Sequence, residues 1–111
     1  MAEPRLAAHV WVAAYRRRLS LVDIPCFVVS RGDDVAGAVL VKLSTLDGQA
    51  RLFCRRYDLM SDTRRWEVLS DGPEPEVDAV ISRECRSDPD LWVLEVEDRA
   101  GRHLLDEDGL A

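Results

Sequence analysis

Glu95 and Glu97 stand two apart in the stretch LWVLEVEDRAGRHLL, residues 91–105, which also carries His103, one of only two histidines. Side chains two apart on one face of a strand have α-carbons roughly 6.5–7 Å from each other. Paired carboxylates at that separation suit general acid–base work or a hard cation, and an imidazole beside them would make a small acid–imidazole site. The plainer account is that the wet face of a hairpin is normally charged, its opposite-charge pairs worth about 0.2–1 kcal/mol each. Trp92, Leu94 and Val96 alternate with the glutamates, the pattern of a half-buried strand. Arg99-Ala100-Gly101 then supplies a short loop ending on glycine, which tolerates the left-handed position after a type I turn. If Asp98 faces Arg102, the register sets Val96 against Leu104 inside and Glu97 against His103 outside.

A second set of candidates is cationic. Lys42 is the only lysine among 15 basic residues and sits in the apolar run AVLVKL. It reads as an anion or carboxylate contact, or more plainly as the outward position of a strand or a guard on a sheet edge. Arg16, Arg17 and Arg18, with Arg55 and Arg56 and with Arg64 and Arg65, would form a phosphate-gripping surface if helix and strand lay side by side. Consecutive helical arginines point about 100° apart, however, so pairing with acidic groups elsewhere is the simpler expectation. Residues 1–65 carry 11 basic and 7 acidic groups, net +4, whereas residues 66–111 carry 4 and 14, net −10. The halves attract one another, and the net charge of −6 disfavours nucleic acid as a partner.

Cys26, Cys54 and Cys85 form no CxxC pair and leave an odd count, which argues against a disulfide framework or zinc knuckle and for small buried hydrophobes. No dinucleotide, Walker, zinc-protease or nucleophile-elbow motif is present, and nothing in the chain calls for a cofactor or metal. No apolar run reaches the roughly 18 residues of a membrane span, and the N-terminal stretch lacks a signal-peptide core and cleavage site, so a cytoplasmic protein is expected.

The elements that must position these groups follow from periodicity. At 111 residues, 47% apolar and 32% charged, the chain suits one folded domain with its own core. Residues 5 to about 22 follow Pro4 and repeat apolar residues at three- and four-residue steps: Ala8, Trp11, Val12, Tyr15, Leu19 and Val22. Arg5, His9 and Arg16 flank that face, and Leu6, Val10, Ala14 and Leu21 form a second, weaker arc that is either plain surface or a partner's contact. Residues 26–29 form a first strand with the look of a central one. Arg31-Gly32-Asp33 is part of a turn, its likeness to an integrin-recognition loop carrying no weight here. Residues 38–46 and 49–57 flank Asp47-Gly48, a hairpin signal whose two-residue loop sets Leu43 against Leu52. Residues 65–70 make a fourth strand and complete an antiparallel meander, after which residues 71–75 break the sheet. Residues 76–87 form a second helix with Val77, Val80, Ile81 and Cys85 on one face. The final hairpin follows, and the acidic tail from about residue 106 is expected to fray. The order is α-β-β-β-β-α-β-β: an α+β domain with a mainly antiparallel sheet and two helices packed on it.

Four segments carry a family likeness: VWVAAYRRRL, IPCFVVSRGDDVAGAVLVKLSTLDG, RRYDLMSDTRRWEVL and DPDLWVLEVEDRAGRHLLDE. In that order, and over nearly the whole chain, the sequence resembles a small, mainly alphaproteobacterial family known as domain of unknown function 1491. The resemblance implies a compact single-domain cytoplasmic protein and no activity, cofactor or catalytic residue. The expected role is therefore a non-catalytic binding or regulatory module, acting on a protein partner or as a homodimer. The alternative is a small enzyme or anion-binding protein using Glu95, Glu97 and His103 or the arginines.

Overall fold

Both amphipathic segments form helices, and each covers a different face of one sheet. The computed structural model describes residues 6–111; Pro4 and Arg5, expected at the helix start and on its flank, lie outside the described residues. In chain order the elements are α1 (Ala8–Leu21), β1 (Cys26–Ser30), β2 (Val39–Ser44), β3 (Gln49–Asp58), β4 (Thr63–Pro73), α2 (Glu74–Ser87) and β5 (Trp92–Glu97). Helix α1 buries Ala8, Trp11, Val12, Tyr15 and Leu19, as its spacing requires, while Val22 stays exposed. They pack on Val39, Val41, Leu43, Phe53, Trp92, Leu94 and Val96. On the opposite face α2 sets Val77, Val80, Ile81 and Cys85 against Leu40, Ala50 and Leu52. The result is an α+β fold.

The sheet runs β1-β5-β2-β3-β4. Strands β2, β3 and β4 form an antiparallel meander, but the expected continuation to β1 is interrupted by β5. Strand β5 pairs antiparallel with β1 and parallel with β2, Val41 opposite Leu94 and Lys42 opposite Glu95. The cause is the connection: α2 leads the chain back across the sheet, and such a crossover joins parallel strands where a tight turn cannot. Strand β1 is consequently an edge rather than the central strand its composition suggested.

Three further expectations are corrected. The hairpin register differs by one, Leu43 opposing Arg51 and Lys42 opposing Leu52. Its loop has three residues, with Leu46 at φ 63° and Gly48 at φ 87°, and Thr45 N–H donates to the Gln49 carbonyl at 3.3 Å. A one-residue slip would turn every β3 side chain over. Leu52 would then leave α2 and Arg51 would take its place in the core. Strand β4 runs on to Pro73 instead of stopping at residue 70, which a proline allows because β4 is an edge strand.

Residues 102–105 form no return strand. The turn itself is present, Gly101 at φ 77° and its N–H bonded to the Asp98 carbonyl at 3.0 Å. Both edges of β5 are already taken, so the chain climbs onto the α1 face instead. There the acidic tail is docked rather than frayed: Leu105 and Leu110 are buried, and Arg18 donates to the Asp108 carbonyl at 2.7 Å. The indole N–H groups of Trp66 and Trp11 both donate to the Leu110 carbonyl, at 2.7 and 3.3 Å.

The glycine of Arg31-Gly32-Asp33 has a structural use. A side-chain carbon on Gly32 would collide with the Asp90 carbonyl and lie 2.7 Å from Trp92 Cδ1. Asp33 N–H donates to that same carbonyl at 2.9 Å, and Trp92 Nε1 donates to the Asp33 carbonyl at 2.7 Å. The loop thus latches the start of β5.

Because Leu110 is fully enclosed, Leu110→Ala should lower stability by about 2–5 kcal/mol in urea denaturation. An unchanged midpoint would mean that the tail is not part of the core.

Candidate functional site

The acid–imidazole trio does not assemble. Glu95 and Glu97 lie on the α2 side of β5, opposite Lys42 and Ser44. His103 lies on the α1 side, its ring 4.5 Å from that of Phe53. The sheet therefore separates the carboxylates from the imidazole. Tyr15 donates to the His103 carbonyl at 2.8 Å, and His103 Nδ1 accepts the Leu105 N–H at 3.0 Å. That acceptor role requires the unprotonated nitrogen. Burial against Phe53 pushes the imidazole below its ordinary value, partly opposed by Asp106 and aided by Arg51.

Lys42 is the carboxylate contact that its isolation suggested, but it is not an outward group: only 4% of the residue is exposed. Its ammonium lies 2.7 Å from Asp78, 3.0 Å from Glu74 and 3.2 Å from Glu95. Two of these acids come from the first turns of α2, so the ion cluster fastens the helix to the sheet. Burial alone would lower the lysine's pKa, but hydrogen bonds to Asp78, Glu74 and Glu95 outweigh it and leave it raised. With its three donors engaged by carboxylates, Lys42 ties α2 and β5 together.

The arginines diverge rather than converge. Arg16 reaches the Cys26 thiol, which burial nevertheless holds up at about 11, so that sulfur remains a protonated hydrophobe. Arg17 is exposed on α1, and Arg56 pairs with Glu67 at 2.9 Å on the α2 face. Arg51 pairs with Asp71 and Arg65 with Asp58. Among the described residues no group of three or more His, Cys, Asp or Glu could hold a metal ion, and the three cysteines are free.

Arg55 differs from the rest. Its guanidinium carbon sits 4.9 Å from the ring centres of both Trp11 and Trp66, with Tyr15 stacked on Trp11 at 4.9 Å. Two register facts build this stack: Arg55 opposes Trp66 in the β3–β4 ladder, and Trp11 lies on the buried stripe of α1. The sequence placed Trp11 on the buried stripe of the first helix and Arg55 among the candidate anion contacts, with nothing to join the two. The ladder signal was available, because only the β3–β4 register is needed to place Arg55 beside Trp66.

The other exposed feature is the β1 edge. Phe27 is 51% and Val29 60% exposed, with Val28 also open, in a strand that contains no charged residue. Leu21 and Val22, at the end of α1 and just before β1, are exposed as well. Of the second apolar arc on α1, Leu6, Val10, Ala14 and Leu21 are all open to solvent.

The histidine makes a pH test available. A group whose folded pKa is depressed adds stability that is complete above its unfolded value and is lost as pH falls through the folded one. From about pH 7.5 to about pH 5 the wild type should therefore lose more stability than His103→Asn, whose amide oxygen can still accept the Leu105 N–H. Parallel pH profiles of the two proteins, measured by urea denaturation, would contradict the buried, neutral imidazole.

The sequence model of a family described as protein of unknown function (DUF1491) matches residues 6–106. A crystal structure of a DUF1491 family protein from Caulobacter crescentus CB15 is 43% identical with a TM-score of 0.80, covering 92% of this chain and 94% of that one. An NMR structure of a DUF1491 family protein from the same organism gives 42% identity and a TM-score of 0.81, over 95% and 96% of the two chains. The solution structure of protein Atu0922 from A. tumefaciens gives 30% identity and a TM-score of 0.72, over 85% and 86%. No curated protein matches the chain. No described helix is long and apolar enough to cross a membrane. The chain belongs to the DUF1491 family.

Proposed function

We propose that this protein is a non-catalytic cytoplasmic module that binds protein by strand addition at β1, the β1 of a second copy being its occupant. One observation carries the reading: an edge strand of the sequence CFVVS is open to solvent and bears no charge. Natural edge strands are normally guarded by lysine, proline, a bulge or a covering loop; β1 has a register shift only between Val28 and Ser30, so the regular apolar stretch from Cys26 to Val28 is a template for another strand. The Pro25 carbonyl accepts the Glu97 N–H at 3.2 Å and Phe27 opposes Glu95. Backbone groups alternate in direction along an antiparallel ladder, so those of Cys26 and Val28 turn away from β5.

A two-fold antiparallel pairing centred on Phe27 would oppose Cys26 to Val28, both within the regular stretch before the register shift between Val28 and Ser30. Apolar side chains then meet apolar ones across the new ladder, with no charge buried. The open residues Leu21 and Val22 extend the apolar margin beside it. Three free thiols agree with a reducing compartment.

Sedimentation equilibrium from micromolar to millimolar protein should give a dimer for the wild type and a monomer for Val28→Lys, whose side chain is open enough for the fold to survive. A wild-type monomer throughout that range, or a Val28→Lys dimer, would overturn the reading.

A further inference from the structure

Residues 101–111 lie on the α1 face without entering a helix or a strand. Among the described residues, no backbone–backbone hydrogen bond joins them to either kind of element. Side chains of the body hold them instead. Tyr15 donates to the His103 carbonyl, Arg18 to that of Asp108, and the indoles of Trp11 and Trp66 to that of Leu110. The buried Leu105 and Leu110 are the apolar anchors. A stretch attached in this way can lift while every sheet ladder stays intact, so its opening is a local event that costs less than global unfolding.

One imidazole fixes the base of the stretch. Leu104 stands at φ 62°, a left-handed conformation that a residue with a side-chain carbon keeps only under constraint. The bond from Leu105 N–H to His103 Nδ1, at 3.0 Å, spans that residue and supplies the constraint. A protonated imidazole carries hydrogen on both nitrogens and cannot accept it. The added charge would also lie against the Phe53 ring, 4.5 Å away, where burial already disfavours it. Around the ring stand Tyr15 from α1, whose hydroxyl burial pushes up, and Arg51 from β3, which is paired with Asp71. Arg64 and Arg65 of β4 and the tail's Glu107 and Asp108 line the same cleft. Asp106 favours the imidazolium, but it belongs to the tail and leaves with it.

We propose that residues 101–111 are a proton-operated strap: protonation of His103 lifts them from the α1 face and bares Phe53 and Trp66 while the sheet stays folded. The strap uses no group of β1 and goes beyond the strand-addition reading, so either can fail alone.

Native-state hydrogen exchange of the full chain tests this, each rate being divided by that of an unstructured chain at the same pH. The Glu107 and Leu110 amides and the Trp66 indole N–H should open together, at least about tenfold more often than the amides of Leu94 and Val96. Low urea should accelerate the strand amides and leave the tail nearly unaffected, because lifting the tail exposes little surface. Going from about pH 7.5 to about pH 5 should raise tail opening at least about threefold in the wild type and not in His103→Asn. In the wild type the rise should follow the titration of the His103 ring, read from its carbon-bound protons, which keeps the test if His103→Asn does not fold. A tail that opens only together with the sheet, an equal rise in His103→Asn, or a rise that departs from the ring's titration would overturn the proposal. Val28→Lys should leave tail opening unchanged.

Discussion

Strand β5 is paired along both edges, antiparallel to β1 and parallel to β2, and most of the molecule follows from that. A strand with both ladders filled has no free backbone groups to offer a return strand. The chain after Asp98 must therefore leave the sheet plane, and it crosses onto the α1 face, where Leu105 and Leu110 find the core. The same insertion displaces β1 to the margin, so a strand with an interior composition ends up facing water. It also sets Glu95 directly opposite Lys42, which places a carboxylate beneath the first turns of α2.

The two faces of the sheet are held by different physics. On the α1 side the contacts are aliphatic and aromatic, and the tail's Leu110 carbonyl accepts from two indoles. On the α2 side a smaller apolar cluster is supplemented by one enclosed ammonium with three acids around it. Those acids are a quarter to a half exposed and keep part of their hydration, whereas Lys42 has given up nearly all of its own. The cost of taking such a charge out of water offsets much of what its ion pairs contribute. A lysine that must meet Glu74 and Asp78 permits only one placement of α2 along β2.

Much of this architecture was legible because it is local. The buried stripes of both helices, the strands around Asp47-Gly48 and the turn at Gly101 follow from spacing and turn chemistry. What escaped depends on partners distant in the chain. The CFVVS run reads as central because composition reports side chains, not whether a neighbour exists on the far side. The final hairpin has the correct turn but no return strand, because the ladder positions it would fill belong to β1 and β2. His103 was assigned to Glu97 on the strength of that hairpin, so the site dissolved with it. The Trp11–Arg55–Trp66 stack joins three separate elements, and only the Arg55–Trp66 half is implied by a local register.

The molecule that results has a fastened core and an unfastened surface, the apolar edge of β1. Both depend on β5 lying between β1 and β2. Amide hydrogen exchange tests that arrangement most directly. The amides of Val93, Leu94, Glu95 and Val96 should exchange only at the rate of global unfolding, while those of His103 and Leu104 exchange far faster. Slow exchange at His103 and Leu104 together with fast exchange throughout β1 would mean that β5 is paired in a terminal hairpin, and the arrangement described here would be wrong.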